Sequence, residues 1–331
     1  MPSAFARNSH ASGEPPKGET SSVRPAVAGT LYVLTGPTAS GKTEWALRWA
    51  EAFGAEIISC DSLLFYRGMD IGTAKPTREE LARVRHHLID ICGVSEGINV
   101  VDYVRRATAA ANEIAARKHR VLVAGGSGFY LGCFFGAVGD EIAVPPDLRS
   151  ELESRLLKEG LPPLVAELER LNPTGLGALD TGNPRRVLRA LERCRVSGLT
   201  LAELAAAFAR IPGPFSGWNV RLARLDLPPE SLNARIDARV NQMIARGLVE
   251  EVRTLRRQGL ETNPSAARAI GYRETLEVLD GRLAAEKLAG QIAHNTRKLV
   301  KKQRTWFRTQ LPDHPVFASS EVRLKDLFPE I

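Results

Sequence analysis

The sequence predicts an α/β fold: a parallel sheet covered by helices on both faces, with a mostly helical inserted domain and a helical C-terminal part. Three observations carry this prediction. From Thr30 onward, short apolar runs alternate with longer amphipathic stretches. The first run, LYVLT at 31–35, passes through glycine-rich GPTASGK into TEWALRWAEAF, the order expected of strand, loop and helix. Beyond about Gly136 strand signals fade, and Asp147 to Arg210 reads as helical periodicity broken at Pro162, Pro163, Pro173 and Pro184.

Each element follows in order. Residues 1–28 are rich in Ser, Pro and Gly and carry too little apolar bulk to offset chain entropy, so a disordered tail is expected. No apolar h-region occurs there, and Glu14 and Glu19 argue against a transit peptide. AEIISCD at 55–61 and HHLIDIC ending at Cys92 read as further strands, and VDYVRRATAAANEIAARK reads as a helix feeding the strand RVLVAGGS at 120–127. NVRLARLDL at 219–227 returns to the sheet before long helices run from Pro229 to Gln310. The expected units are a core of residues 29–135 plus 211–310, a helical insert at 136–210 that contacts the partner, and a weakly patterned tail at 311–331.

Composition narrows the class. Among 331 residues, 44% are hydrophobic and 25% charged, which excludes general disorder and fibrous architectures. No run approaches the roughly 18 apolar residues of a membrane span, so no membrane partner is expected. With 45 Lys and Arg against 38 Asp and Glu, the net charge of +7 favours polyanionic partners. Cys60, Cys92, Cys133 and Cys194 are too widely spaced for a metal cage and read as reduced thiols of a cytoplasmic protein.

Gly36-Pro37-Thr38-Ala39-Ser40-Gly41-Lys42-Thr43 matches G-x-x-x-x-G-K-[ST] between a predicted strand and helix, so the core is expected to be P-loop NTPase-like. In such a loop, backbone N–H groups and the helix N-terminus face a phosphate. Lys42 adds a point charge and the Thr43 hydroxyl can hold Mg²⁺. A kinase or NTPase usually ends a second strand in a magnesium-holding Asp, yet RVLVA runs into Gly125-Gly126-Ser127-Gly128. Ser127 is either an ordinary turn serine or a hydroxyl placed for a ligand. Asp61, directly after the second strand, is either a cap or turn residue or a general base.

The run GPTASGKT, the segment from Asp61-Ser62 through YRGMDIGTAKP to Pro76, and GGSGFY at 125–130 together resemble the tRNA dimethylallyltransferase family. NPRRVLRALE at 183–192, RAIGYRE at 268–274 and KKQRTWFR at 301–308 resemble its later signatures in order, so the resemblance covers about residues 30–308. It implies transfer of a five-carbon prenyl group from dimethylallyl diphosphate to N6 of adenosine 37, beside the anticodon of tRNA, without ATP. The phosphate loop would hold the diphosphate with Mg²⁺, Asp61 would be the base at the adenine amine, and Ser127 would bond near the reacting groups where the family usually has Thr. By the same resemblance Arg239, one helical turn after Arg235, would contact the diphosphate.

A tRNA partner also suits the charge pattern. Arg297, Lys298, Lys301, Lys302, Arg304 and Arg308 form a run with no acid, repulsive unless a polyanion or distant carboxylates compensate. Trp306 inside this run reads as a core anchor. Arg185, Arg186 and Arg189 in the insert, with Arg268 and Arg273 around Gly271, could straddle an anticodon stem-loop and turn its adenine outward. The expected tRNA-contacting set is completed by Asp61, Ser62, Leu63, Leu64 and Ser127 near the site, and by Tyr272 and Gln303 in the later segments. A monomer is expected. The rival readings are an adenylate prenyltransferase acting on free nucleotide, an RNA-dependent phosphate-loop kinase or ATPase, and a non-catalytic RNA-binding protein.

Overall fold

The structure, a computed structural model, describes residues 29–139, 142–318 and 322–329. The expected tail at 1–28 lies outside these residues. Six parallel strands form one sheet in the order β3-β2-β4-β1-β5-β6: β1 Thr30–Thr35, β2 Ala55–Cys60, β3 His86–His87, β4 Arg120–Gly125, β5 Asn219–Asp226 and β6 Val316–Ala318. All six residues of β2 are buried, as a strand covered on both faces requires.

Alternation along the strands divides the core. Leu34, Ile57, Leu122 and Leu225 pack with Trp45 and Trp49 of α1 (Lys42–Phe53) on one face. Leu31, Val33, Ile58, Val121 and Val123 pack on the other face with Tyr103 and Ile114 of α3 (Val100–Ala116). Gly54 ends α1 in the left-handed conformation, φ 64°, its N–H bonded to Ala50 O. Asn99 opens α3 by accepting the Asp102 N–H at 3.0 Å. The short helices α2 (Arg78–Arg83) and α4 (Gly128–Leu131) lie in the connections.

Four helices, α5 (Pro146–Glu159), α6 (Pro162–Leu171), α7 (Pro184–Ser197) and α8 (Leu201–Phe208), close around their own core of Leu152, Leu164, Leu168, Val187, Leu191 and Leu204. After β5 come α9 (Pro229–Ala245), α10 (Leu248–Arg257), α11 (Pro264–Ala267), α12 (Tyr272–Leu279) and α13 (Leu288–Gln310). Helices α9 and α13 cover the same sheet face as α3, through Ile236, Val240, Ile292 and Val300.

Two expectations change. HHLIDIC supplies only the two-residue β3, because Leu88 and Asp90 take positive φ (63° and 55°) and turn the chain away. Cys92 then bridges to Tyr66 instead of extending the strand. The segment after 310, expected to lack pattern, adds β6 to the sheet. It also buries Leu327 and Phe328, the Phe328 ring lying 5.0 Å from Tyr32 and 5.2 Å from Trp49. Three strand residues between prolines are too few to produce a readable alternation.

Candidate active site

The phosphate loop leaves the end of β1 and enters α1. Ala39 and Gly41 take positive φ (67° and 87°), which curls the loop so that Ser40 N–H reaches Pro37 O at 3.2 Å. Lys42 Nζ donates to Pro37 O at 3.3 Å. Burial pushes the Lys42 ammonium down to about 8; the Asp61 carboxylate works against this shift and Arg239 adds to it. Burial likewise lowers Arg239, opposed by Asp61, and the guanidinium donates to Thr73 O at 2.9 Å. Two cations and one carboxylate therefore converge where β1, β2 and α9 meet.

Asp61 follows β2 immediately. Its Oδ1 accepts the Leu63 N–H at 3.1 Å, so it makes the local turn and still borders the site cavity. Ser62 N–H donates to Ser127 Oγ at 3.1 Å, and Ser127 N–H donates to Cys60 O at 3.3 Å. The ends of β2 and β4 are thereby stitched together, while the Ser127 hydroxyl proton stays available to a ligand. A Cβ at Gly128 would stand 2.6 Å from the Trp306 ring, so this glycine lets α13 close over the strand end.

A cavity of about 400 Å³ opens at this point. Thr38, Lys42, Asp61, Ser127 and Arg239 line it together with the apolar Ile236, Val240, Met243, Ile270, Ile292 and Leu299, and with Ser265, Thr296 and further polar groups. A smaller cavity of about 70 Å³ lies beneath the loop, bordered by Lys42, Thr43, Ser59, Asp61 and Arg239. No group of three or more His, Cys, Asp or Glu side chains able to hold a metal occurs among the described residues.

The family model described as IPP transferase matches residues 64–310. A tRNA dimethylallyltransferase of Opitutus terrae is 64% identical over 286 residues, covering 86% of this chain and 91% of that protein. The chain belongs to the IPP transferase family. Among solved structures, the tRNA isopentenylpyrophosphate transferase of Bacillus halodurans is 34% identical with a TM-score of 0.63, over 87% of this chain and 89% of that one. The tRNA delta(2)-isopentenylpyrophosphate transferase of Staphylococcus epidermidis is 31% identical at the same TM-score, over 89% and 95%.

In this IPP transferase the remaining expected residues divide into three groups. Leu63, Arg268 and Gln303 line the 400 Å³ cavity, while Leu64 borders the smaller one. Arg185, Arg186 and Arg189 line a separate groove of about 810 Å³ in which Phe129 of the core, 63% exposed, faces the insert. Lys301, Lys302 and Arg308 are exposed on α13. Four assignments need correction. Tyr272 is fully buried, its hydroxyl donating to Glu251 at 2.7 Å, and the adjoining Gly271 is buried too, so neither presents a surface to tRNA. Arg304 is held inward by Asp226 at 2.6 Å and by Leu227 O. Arg273 pairs with its neighbour, buried Glu274, and Arg297 pairs with Asp237, so distant carboxylates compensate Arg297 and Arg304 of the basic run.

Glu251 is a contributor that sequence reasoning missed. Its carboxylate accepts the N–H groups of Asp70, Ile71 and Gly72 at 3.0, 2.6 and 3.1 Å as well as the Tyr272 hydroxyl. This clamp holds the loop whose next residue, Thr73, anchors Arg239. A glutamate on an amphipathic helix beside Glu250 gives no sequence signal of that role.

Proposed function

We propose that this chain is a tRNA dimethylallyltransferase that moves the prenyl group of dimethylallyl diphosphate to N6 of adenosine 37 in the tRNA anticodon loop. One observation carries the reading: Asp61 sits with Lys42 and Arg239 in a cavity beside the phosphate loop whose lining also includes Ile236, Val240, Met243, Ile270, Ile292 and Leu299. The cations suit a diphosphate, and the apolar side chains suit a five-carbon chain.

The chemistry follows from these groups. The adenine amine is a weak nucleophile because its lone pair is delocalised into the ring, so attack on the prenyl C1 gains from an acceptor for the departing proton. Asp61 accepts that proton as the N–C bond forms and the C–O bond to diphosphate breaks. Lys42, Arg239 and the N–H groups of Gly41, Lys42 and Thr43 meet the charge growing on the leaving group. Among the described residues no carboxylate cage occurs, and a magnesium ion that arrives with the diphosphate would be held by the Thr43 hydroxyl. When bound, Mg²⁺ neutralises further diphosphate charge. Ser127, fixed by Ser62, donates its hydroxyl proton near the reacting groups.

For the tRNA, exposed Arg185, Lys301, Lys302 and Arg308 offer phosphate contacts, and exposed Arg186 and Arg189 can add to them although they also pair with Asp180 at 3.7 Å and Glu192 at 3.1 Å. Such a surface is superfluous for a free-nucleotide acceptor. The reading places a monomer in the cytoplasm, consistent with four free cysteines. Incubating the protein with unmodified tRNA and labelled dimethylallyl diphosphate tests it. Label is expected on the tRNA only when Mg²⁺ is present, and release of phosphate from ATP stimulated by RNA would instead support a phosphate-loop ATPase.

A further inference from the structure

Ser59 is the penultimate residue of β2, 2% exposed, and its Oγ has no hydrogen-bond partner among the described residues. A buried hydroxyl without a partner has lost its water for nothing, so it points to something that binds there. Strand alternation fixes its direction. Ala55 and Ile57 pack against Trp45 and Ala46 of α1, whereas Ile58 and Cys60 face the opposite side of the sheet. Ser59 and Asp61 continue the first set, toward Lys42 and Thr43. All four border the 70 Å³ cavity under the phosphate loop, which is polar and large enough for several waters.

The neighbouring strand leaves a gap in the chemistry here. Ser59 is in register with Ala124 and Cys60 with Gly125, so β4 offers no carboxylate where phosphate-loop enzymes usually hold magnesium. Magnesium binds few protein groups directly and keeps several waters, which are strong hydrogen-bond donors in need of acceptors. We propose that Ser59 is a positioning residue whose hydroxyl accepts from a water of the hydrated divalent cation that enters with the donor's diphosphate. A neutral hydroxyl thus stands in for the missing carboxylate, leaving Asp61 as the sole carboxylate lining that cavity among the described residues. This inference rests on the donor-site reading above, and the test separates the two.

The full chain, Ser59→Ala and Ser59→Thr are melted alone, with inorganic diphosphate, with Mg²⁺, and with both. Mn²⁺ binding in the presence of diphosphate is read by electron paramagnetic resonance. Removing an unpaired hydroxyl leaves the free protein melting at or above wild type. Over the same substitution, Mn²⁺ affinity in the presence of diphosphate is expected to fall roughly tenfold or more, as for loss of a metal's outer partner. Ser59→Thr, which keeps the hydroxyl, retains the affinity, and diphosphate binding without metal is unchanged in both variants. Unaltered Mn²⁺ affinity in Ser59→Ala overturns the inference, as does an equal loss of diphosphate binding without metal. If wild type shows no metal-dependent protection by diphosphate, the donor-site reading fails with it.

Discussion

Gln303 Oε1 accepts the Thr38 N–H at 2.9 Å, tying the phosphate loop to a helix 265 residues further along the chain. The same amide donates to Gly126 O at 3.0 Å, so one side chain spans the ends of β1 and β4. Gln303→Leu keeps the bulk but leaves both backbone groups unpaired. At about 0.5–1.5 kcal/mol per bond, donor affinity should fall roughly 5- to 160-fold. Titration calorimetry with dimethylallyl diphosphate measures this, and unchanged affinity would show that the loop holds its shape unaided.

Asp61, the general base of the proposed mechanism, also shapes its turn through Leu63 N–H. Asp61→Asn retains an acceptor oxygen for that turn while removing basicity. Single-turnover prenyl transfer should fall roughly 10²-fold or more with the melting temperature nearly unchanged. A variant that transfers at the wild-type rate would remove Asp61 from the mechanism.

Lys42 predicts a pH dependence for donor binding. Its ammonium titrates at about 8 in the free protein instead of 10.5. Below that pH the charge is present, and above it the diphosphate must bring a proton onto the lysine. Affinity therefore declines as pH rises through 8, approaching tenfold per pH unit. The same lowered value means that the unfolded chain binds more protons between about pH 8 and 10.5, so Lys42 makes stability rise with pH across that window. Lys42→Met should flatten both profiles and weaken the donor, as calorimetry and melting between pH 6.5 and 10 can check.

Among the described residues the arginines proposed to meet tRNA differ in their partners. Arg185 makes no ion pair among the described residues, whereas Arg304 is bonded to Asp226 and Leu227 O. Neutralising Arg185 should lower the slope of log tRNA affinity against log salt by about one unit. Arg304→Ala should leave the slope alone and lower stability by about 1–3 kcal/mol, since it strands a charge-assisted bond. Filter binding across salt concentrations, alongside chemical denaturation, distinguishes the two outcomes.

What the sequence by itself determined is local. The glycine-rich loop between LYVLT and TEWALRWAEAF, the carboxylate after AEIISC, and the parallel sheet with its helical insert follow from spacing and periodicity, which need only neighbours along the chain. Tertiary structure alone decided which charges stay free. Asp226 holds Arg304 inward, Asp237 pairs with Arg297 at the surface, Glu251 and Gly72 bury Tyr272, and no residue type announces which distant partner it will meet. It also decided that Ser59 carries an orphaned hydroxyl and that residues 316–318 complete the sheet. Hydrogen bonding and burial depend on what a side chain meets in space, and that is set by packing elements whose separation in sequence carries no chemical information.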